Sequence, residues 1–324
     1  MKNKILALLA TIGLASSVSA VEINDNLSIN GFIDGSYENR NANADSEVFG
    51  LDEVEVDFLF NNGSVSGAVH VDTEDADNDV NLDIEQAHFT YSLDNGVSFT
   101  FGRYGAALGF EREDPAGLYT YSRAYEGSNN YDLGNIDGAG SVEGLTIAYA
   151  GDAFSIAASI EESNDRNLNT DNFDLELSFS YTGMENLAVG GGYFFDNEKG
   201  SATERDVLNL HAAYSIGKAL VAAEIINASD TSATAGEDAY LILLDYDFTD
   251  KLGGAIRYSA WEESVSAAGV TRDGSKFTIA PNYAITDNLG VIAEYSKVDL
   301  DKDPTAPTVN ADYDYLAVEL TYTF

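Results

Sequence analysis

Residues 172–182 read NFDLELSFSYT, and this short segment decides the fold. Its apolar side chains stand at every second position: Phe173, Leu175, Leu177, Phe179 and Tyr181. Acidic or hydroxyl side chains, beginning with Asp174 and Glu176, fill the positions between them. Because successive side chains of a β-strand point to opposite faces of the sheet, this period of two predicts a strand with an apolar face and a charged, hydrated face.

The same alternation recurs along the whole chain and predicts sixteen strands. These cover residues 27–38, 50–60, 65–72, 83–93, 97–104, 143–150, 153–161, 172–182, 187–195, 205–215, 218–227, 238–248, 252–261, 274–285, 289–298 and 312–324. The connections alternate between tight turns, such as Asp94-Asn95-Gly96, and longer polar segments. Tight turns on one rim and long loops on the other are typical of outer-membrane barrels, whose short turns lie in the periplasm. We therefore expect an all-β protein, a transmembrane antiparallel up-and-down β-barrel of about 16 strands.

A secreted β-sandwich or a β-solenoid is the main structural alternative, because a sandwich also alternates apolar and polar side chains. Aromatic residues near both ends of predicted strands, such as Tyr240 and Phe248, favour the barrel. Aromatic girdles have a physical reason at the two interfaces of a bilayer and none in a sandwich. No shift in composition marks a second domain, so we expect residues 21–324 to form a single transmembrane β-barrel domain.

The first twenty residues match a secretory signal. Lys2 and Lys4 precede a short apolar run, and the small residues Val18-Ser19-Ala20 follow it. Charge, apolar core and cleavage site occur in the order that secretory signals share, which favours a signal over a buried N-terminal helix. We expect residues 1–20 to be a signal peptide that is cleaved after export.

The composition excludes several classes of protein. The formal net charge is −39, and such a chain repels a phosphate backbone, which excludes nucleic acid as a partner. Cys is absent, so disulfides contribute nothing to the fold. No run after the first twenty residues approaches the roughly 18 apolar residues of a transmembrane helix. We expect no cofactor.

The longest interruption of the alternation is RYGAALGFEREDPAGLYTYSRAYEGSNNYDLGNIDGAGSV, residues 103–142. A connection longer than about 15 residues is usually functional or disordered. This one contains three arginines, several acids and six aromatic residues, a composition that argues against plain disorder. It is third in order among the connections of the long-loop rim.

The C-terminal strand, with Leu320, Tyr322 and Phe324 on one face, resembles the terminal strand that Gram-negative outer-membrane proteins present to the barrel-assembly machinery. With sixteen strands and a long third outer loop, the mature chain resembles the general diffusion porins. Locally, QAHFTYSLDNGVSFTFGRYGAALGFE (residues 86–111) followed by TYSRAYEG (residues 120–127) is similar to the OmpL-like β-barrel porins. The resemblance implies the outer membrane of a Gram-negative bacterium, contact with its lipid and lipopolysaccharide, recognition of Phe324 by the assembly machinery, and a homotrimer.

In the general porins the third loop folds inward and narrows the channel, with basic wall residues facing loop acids. The resemblance therefore makes residues 105–142 an inward-folding constriction loop. Its candidate residues are Arg103, Glu111, Arg112, Glu113, Asp114 and Arg123. Arg103 follows Phe101 by two positions and so lies on the same, outward face of the predicted strand. Its side chain reaches the lumen only if the strand has already ended there. The loop arginines either face the acids across the narrowest point or pair with them locally, and the sequence leaves both arrangements open.

If the apolar positions of each strand face lipid, the positions between them line the lumen. The predicted lumen-lining residues are Glu55, Asp57, His70, His88, Asp174, Glu176, His211, Glu224, Asp245, Arg257, Glu294 and Glu319. The excess of acids predicts a channel that prefers cations, because a pore with low-dielectric walls focuses the field of its charges. The three histidines are interpreted as pore-lining polar groups, and no Ser/His/acid arrangement on one rim indicates an enzyme.

The acidic segment that contains Asp75, Asp77 and Asp79 has the composition of a hard-cation site. It lacks the Gly and the closing Glu of a twelve-residue Ca²⁺ loop, so these residues are candidates for a weak Ca²⁺ site only. The function that the sequence favours is a porin, a water-filled channel for passive diffusion of small hydrophilic solutes and ions with a cation preference. The alternative is a non-conducting surface protein, an adhesin or receptor, on the same barrel.

Overall fold

A computed structural model describes ten stretches of the chain. They are residues 20–41, 46–76, 79–112, 115–125, 141–162, 173–196, 205–230, 237–266, 270–301 and 312–324. Residues 1–19 of the expected signal peptide lie outside them. Among the described residues there is no helix long and apolar enough to cross a membrane.

The described chain consists almost entirely of β-strands. The strands are β1 (Val21–Asn24), β2 (Leu27–Asn41), β3 (Ser46–Asn62), β4 (Val65–Ala76), β5 (Asp79–Ser92), β6 (Val97–Gly105), β7 (Ser141–Ala150), β8 (Phe154–Glu161), β9 (Asp174–Met184), β10 (Leu187–Phe195), β11 (Arg205–Ile216), β12 (Ala219–Asp230), β13 (Glu237–Asp247), β14 (Leu252–Ser266), β15 (Val270–Ala284), β16 (Leu289–Leu300) and β17 (Tyr313–Thr323). A single 3-10 turn, Pro115–Gly117, lies between β6 and β7.

Strands β2 to β17 form a closed barrel of sixteen antiparallel strands, as predicted. Each strand pairs with the next one in the chain, and β17 closes the barrel on β2 with the pairs Asp314↔Asn41 to Thr323↔Phe32. The last residue completes this seam, because the Phe324 amide donates to the Gly31 carbonyl at 3.0 Å. Closure leaves no unpaired edge among these strands, which a lipid environment requires.

Strand β1 was not predicted from the sequence. It forms a tight hairpin with β2, in which Val21 pairs with Ile29 and Asn24 with Leu27. Strand β2 has two edges, and from Leu27 onward one of them pairs with β3. The other edge pairs with β17 from Phe32 onward and with β1 before that, so β1 continues the edge beyond the last residue of β17. Four residues are too short a run for an alternating pattern to be distinguished from a loop.

The two faces of the barrel have opposite chemistry. Apolar side chains of the predicted outward parity are exposed on the outside, for example Ile225, Ile242 and Phe101 at 54%, 55% and 56%. Acids of the opposite parity, such as Glu55 and Glu319, are buried inside. This arrangement fits a barrel whose outer surface meets lipid and whose interior is polar.

Short connections lie on one rim and long connections on the other, as predicted. Near the long-loop rim, some strands are longer than the alternation of apolar and polar residues predicts. Strand β14 continues to Ser266 and β15 begins at Val270, where the sequence predicted a loop over residues 262–273. Strand pairing uses main-chain N–H and C=O groups, which every non-proline residue carries whatever its side chain. A polar sequence can therefore extend a strand beyond its apolar part.

Candidate functional site

The first part of the long loop, residues 106–112, lies against the inner wall of the barrel. The Ala107 amide donates to both carboxylate oxygens of Glu176 on β9, at 3.1 and 3.2 Å. The Phe110 amide donates to Glu224 Oε1 on β12 at 2.7 Å. Asn209 on β11 lies between these acids, where its Nδ2 donates to the same Glu224 oxygen at 2.8 Å. Wall side chains therefore satisfy the backbone of a segment that has no strand partner.

The second part of the loop is held by one buried arginine of the wall. Arg257 on β14 donates through Nη1 to both oxygens of Glu111, at 2.6 and 2.8 Å. The same guanidinium donates to the Thr120 hydroxyl at 2.8 Å and to the Arg123 carbonyl at 2.8 Å. Glu111 in turn accepts the Ala124 amide at 2.7 Å. Arg257 and Glu111 thus join two separate stretches of the loop to the wall.

Further contacts extend the loop to the strands near the barrel seam. The Ser122 amide and hydroxyl donate to Glu294 on β16, at 3.1 and 2.5 Å. Lys276 on β15 donates to the Arg123 carbonyl at 3.0 Å. The hydroxyls of Tyr121 and Ser36 on β2 lie 3.2 Å apart. The described part of the loop therefore follows the inner wall from β9 to β16 and touches β2.

Apolar packing accompanies these hydrogen bonds inside the barrel. Leu108 is fully buried in a cluster with Val207 and Trp261, and Phe110 packs against Leu241 and Leu243. Tyr119 stacks on Phe110 with ring centroids 6.3 Å apart, and Tyr125 meets Trp261 edge to face at 6.3 Å. Burial of large apolar side chains contributes about 1.5–3 kcal/mol each, so this packing strengthens the attachment. We call the inner wall of β9 to β16 with its attached loop the loop seat.

The close approach of Leu108 depends on glycine in β10. A Cβ added to Gly192 would lie 2.7 Å from Leu108 Cδ2. The run Gly190-Gly191-Gly192 interrupts the alternation of β10, and glycine within a strand often marks a place where another segment comes near.

Two inward-facing leucines are a sequence signal for the loop seat. Leu241 and Leu243 share the inward parity of the acids, and both are fully buried. A leucine has no reason to line a water-filled lumen unless another segment covers it. The polar contacts of Asn209, Ser122 and Thr120 had no comparable signal, because each depends on the path of the loop.

The predicted constriction residues occupy different places. Glu111 binds Arg257, as described above. Arg112 donates to the Ala106 carbonyl at 2.9 Å, and Arg123 Nη1 donates to the Glu111 carbonyl, so both make local contacts within the loop. Arg103 is still within β6, on the parity of exposed Phe101, and its Nε donates to Ser141 at 2.7 Å. This places Arg103 in the strand wall and not in the loop. Glu113 and Asp114 lie outside the described residues.

The predicted lumen-lining residues fall into two groups on the inner face. Glu176, Glu224, Arg257 and Glu294 contact the loop, and His211 lies beneath it, with its ring centroid 6.2 Å from that of Phe110. The second group stands on β3, β4, β5, β9 and β17. It contains Glu55, Asp57, His70, His88, Asp174 and Glu319. Asp245 is buried on β13.

This second group, which we call the acidic wall, lies largely beside the strands that hold the loop. Buried Asp34 and Asp72 on β2 and β4 belong to it as well, and the carboxyl groups of Asp34 and Glu319 are in hydrogen-bonding contact. A cavity of about 770 Å³ opens at the short-turn end, and its lining includes the small or polar side chains of Ala68, His88 and Ser178 together with larger ones such as Phe60 and Tyr149. The strands thus enclose a space at this end of the barrel.

The three histidines do not converge. The rings of His70 and His88 have centroids 6.4 Å apart on the acidic wall, while His211 lies under the loop and donates through Nδ1 to Asn209 Oδ1 at 3.0 Å. His70 Nδ1 lies 2.9 Å from both Glu55 Oε1 and Asp57 Oδ1. The Ca²⁺ candidates Asp75, Asp77 and Asp79 have side chains outside the described part of the structure.

A closed sixteen-stranded barrel with an apolar outer surface, a polar interior and an internal loop defines an outer-membrane channel. A family model described as Gram-negative porin matches residues 6–303, and the chain belongs to this family. It is an outer-membrane porin. A search of curated protein sequences finds no match.

Solved structures of other outer-membrane proteins share the fold. The trimer form of in-vitro folded OmpT from Vibrio cholerae has a TM-score of 0.63 and 17% sequence identity, and the match covers 93% of this chain and 100% of that chain. OmpF of Salmonella typhi, in complex with daunomycin, has a TM-score of 0.66 and 16% identity over 94% of this chain and 100% of that one. The anion-selective porin of Comamonas acidovorans has a TM-score of 0.67 and 11% identity over 92% and 99%. At such identities the similarity establishes the fold alone.

Proposed function

We propose that this porin is a passive channel for small hydrophilic solutes and ions with a preference for cations. The observation that carries the proposal is the unequal distribution of charge inside the barrel. Arg257 and Lys276, two basic side chains of the inner wall, are both bound to the loop. The acids of the acidic wall face the space beside the loop. A cation that crosses this space meets carboxylates, whereas an anion is repelled.

The loop supplies the narrowest part of the proposed path. Its described residues occupy one side of the lumen, and their attachment through Glu111, Phe110 and Ser122 fixes how far they extend toward the acidic wall. Burial raises the pKa of the Tyr121 phenol to about 12, so this side chain faces the seam as a neutral hydroxyl at physiological pH. The proposed path therefore runs between the attached loop and the acidic wall.

Recordings in planar bilayers test both halves of this proposal. Under a KCl gradient we expect stable open channels and a reversal potential of the sign that K⁺ permeation gives. Swelling of proteoliposomes in sugars of graded size should show passage of small sugars and exclusion of large ones. Correctly inserted protein with no conductance would favour the non-conducting surface protein, and a reversal potential of the opposite sign would refute the cation preference.

We also propose how the protein assembles and what surrounds it. The trimer form of the Vibrio cholerae structure supports a homotrimer as the proposed state of this chain. The pairing of Phe324 with Gly31 places the C-terminal residue at the closing seam, which supports its proposed role in recognition by the barrel-assembly machinery. Outer-membrane lipid and lipopolysaccharide are the proposed surroundings of the apolar outer face.

A further inference from the structure

Three side chains of the acidic wall converge on one point. Glu55 and Asp57 project inward from β3, and His70 lies opposite Asp57 on the neighbouring strand β4. His70 Nδ1 is 2.9 Å from Glu55 Oε1 and 2.9 Å from Asp57 Oδ1. One ligand atom from each residue therefore lies within 4.8 Å of the other two.

The polar atoms of this cluster are not all used by hydrogen bonds. Asp57 Oδ1 and His70 Nε2 are buried, and neither has a hydrogen-bond partner among the described residues. Asp57 and His70 are only 3% and 5% exposed. The Asp57 oxygen points at His70 Nδ1, which is hydrogen-bonded to Glu55 and carries at most one proton to share between two carboxylates. A buried acceptor aimed into such a cluster is better satisfied by a cation than by that single proton.

We propose that Glu55, Asp57 and His70 form a binding site for a divalent transition-metal ion of the zinc class on the wall of the channel. Zinc bonds to carboxylate oxygen and imidazole nitrogen of about 2.0–2.2 Å place neighbouring ligand atoms about 3.3 Å apart in a tetrahedron. The observed separations of 2.9 Å come within a few tenths of an ångström of that value. An imidazole among the ligands selects Zn²⁺, Ni²⁺ or Cu²⁺ over Mg²⁺ and Ca²⁺, which prefer oxygen alone.

The site lies close to the space through which cations are proposed to pass, although its three residues do not themselves line the cavity. Ala68, two residues before His70 on the same face of β4, lines the cavity of about 770 Å³ at the short-turn end. A bound ion would add two positive charges to the acidic wall. The effect on conductance rests on the proposed function, whereas binding itself does not.

Isothermal titration of the untagged protein in detergent with zinc chloride tests the site. We expect one site per chain in the wild type, and for His70→Gln a loss of affinity of more than about tenfold. Asp57→Asn should weaken binding similarly, and it serves as the second variant if His70→Gln assembles poorly. His211→Gln is the matched control, because it removes another inward-facing histidine that lies under the loop, and it should bind zinc as the wild type does. Magnesium chloride should give no comparable site.

Two further measurements distinguish zinc binding at the site from an effect of zinc on ion conduction. Co²⁺ should give visible absorption bands typical of tetrahedral nitrogen and oxygen coordination in the wild type and not in His70→Gln. In planar bilayers, zinc should lower the cation conductance of the wild type and leave that of His70→Gln unchanged. Equal zinc binding by wild type and His70→Gln, or none by either, would show that the cluster is only an internal ion pair and would overturn the proposal. Binding without a change in conductance would support the site and contradict the proposed route of ions beside it.

Discussion

Arg257→Met is expected to release the loop from the wall and widen the channel. The substitution removes a fully buried guanidinium that binds Glu111, Thr120, Ser122 and the Arg123 carbonyl. It leaves the carboxylate of Glu111 buried without its cation, a change that costs about 3–5 kcal/mol in comparable ion pairs. Proteoliposome swelling should then admit larger sugars, single-channel conductance should rise, and trypsin should cleave the loop at Arg112 and Arg123.

The double substitution Arg257→Met with Glu111→Met provides the matched test. Replacing both partners of a buried ion pair by apolar side chains is often neutral, so the double variant should recover much of the wild-type size cut-off. Lys297→Ala is a control, because Lys297 and Asp299 form an exposed pair at 2.5 Å and neither contributes to the loop seat. An unchanged cut-off and unchanged resistance to trypsin in Arg257→Met would contradict the role given to this ion pair.

The triple variant Asp34→Asn, Asp72→Asn, Glu319→Gln is expected to lose most of the cation preference. The three acids belong to the acidic wall, and the replacements preserve shape while removing the charge of Asp72 and the charge that the hydrogen-bonded carboxyl groups of Asp34 and Glu319 hold between them. A unit charge 4 Å from an ion contributes about 1 kcal/mol even at the dielectric constant of water, so the ratio of K⁺ to Cl⁻ permeability should fall by at least about threefold. The reversal potential in a KCl gradient measures this ratio directly.

A second triple variant tests whether selectivity depends on the acids of the acidic wall or only on the net charge of the protein. Asp273→Asn, Asp299→Asn and Asp301→Asn remove the same number of acids from exposed positions near the long-loop rim. Charges there are screened over about 8–10 Å at physiological ionic strength, so the selectivity should change little and any change should vanish in high salt. If both triple variants shift the reversal potential equally, the acidic wall has no special role.

The regular part of the structure could be predicted from the sequence because it depends on local rules. A closed barrel requires one face of every strand to meet lipid, so alternation such as that of residues 172–182 identifies strands and inward-facing acids together. Strand ends were less accurate near the long-loop rim, because main-chain pairing in β14 continues through polar residues up to Ser266. Strand β1 offered too few residues for a pattern.

The site could be predicted only in outline. The length and composition of residues 105–142 indicated an internal loop, and Glu111 was among the candidates. Its partner Arg257 lies 146 positions away in the chain. The alternation of β14 predicts that Arg257 faces the inside of the barrel, but it does not show that the loop covers this residue. Leu241 and Leu243, apolar on an inward face, carried the information about where the loop lies. The convergence of Glu55, Asp57 and His70 depends on the register between β3 and β4, which the tight turn at residues 61–64 sets and alternation alone does not.

If the channel runs beside the acidic wall while the loop covers the opposite wall, cysteine accessibility shows it most directly. Ala148 and Ala222 are both alanines of the inner face; Ala148 is partly exposed in the cavity wall, and Ala222 is buried under Phe110 in the loop seat. The chain has no cysteine, so Ala148→Cys and Ala222→Cys each introduce a unique thiol. A cationic methanethiosulfonate added to open channels should rapidly lower the conductance of Ala148→Cys and leave Ala222→Cys unchanged. Rapid modification of Ala222→Cys together with protection of Ala148→Cys would show that ions pass along the loop seat instead.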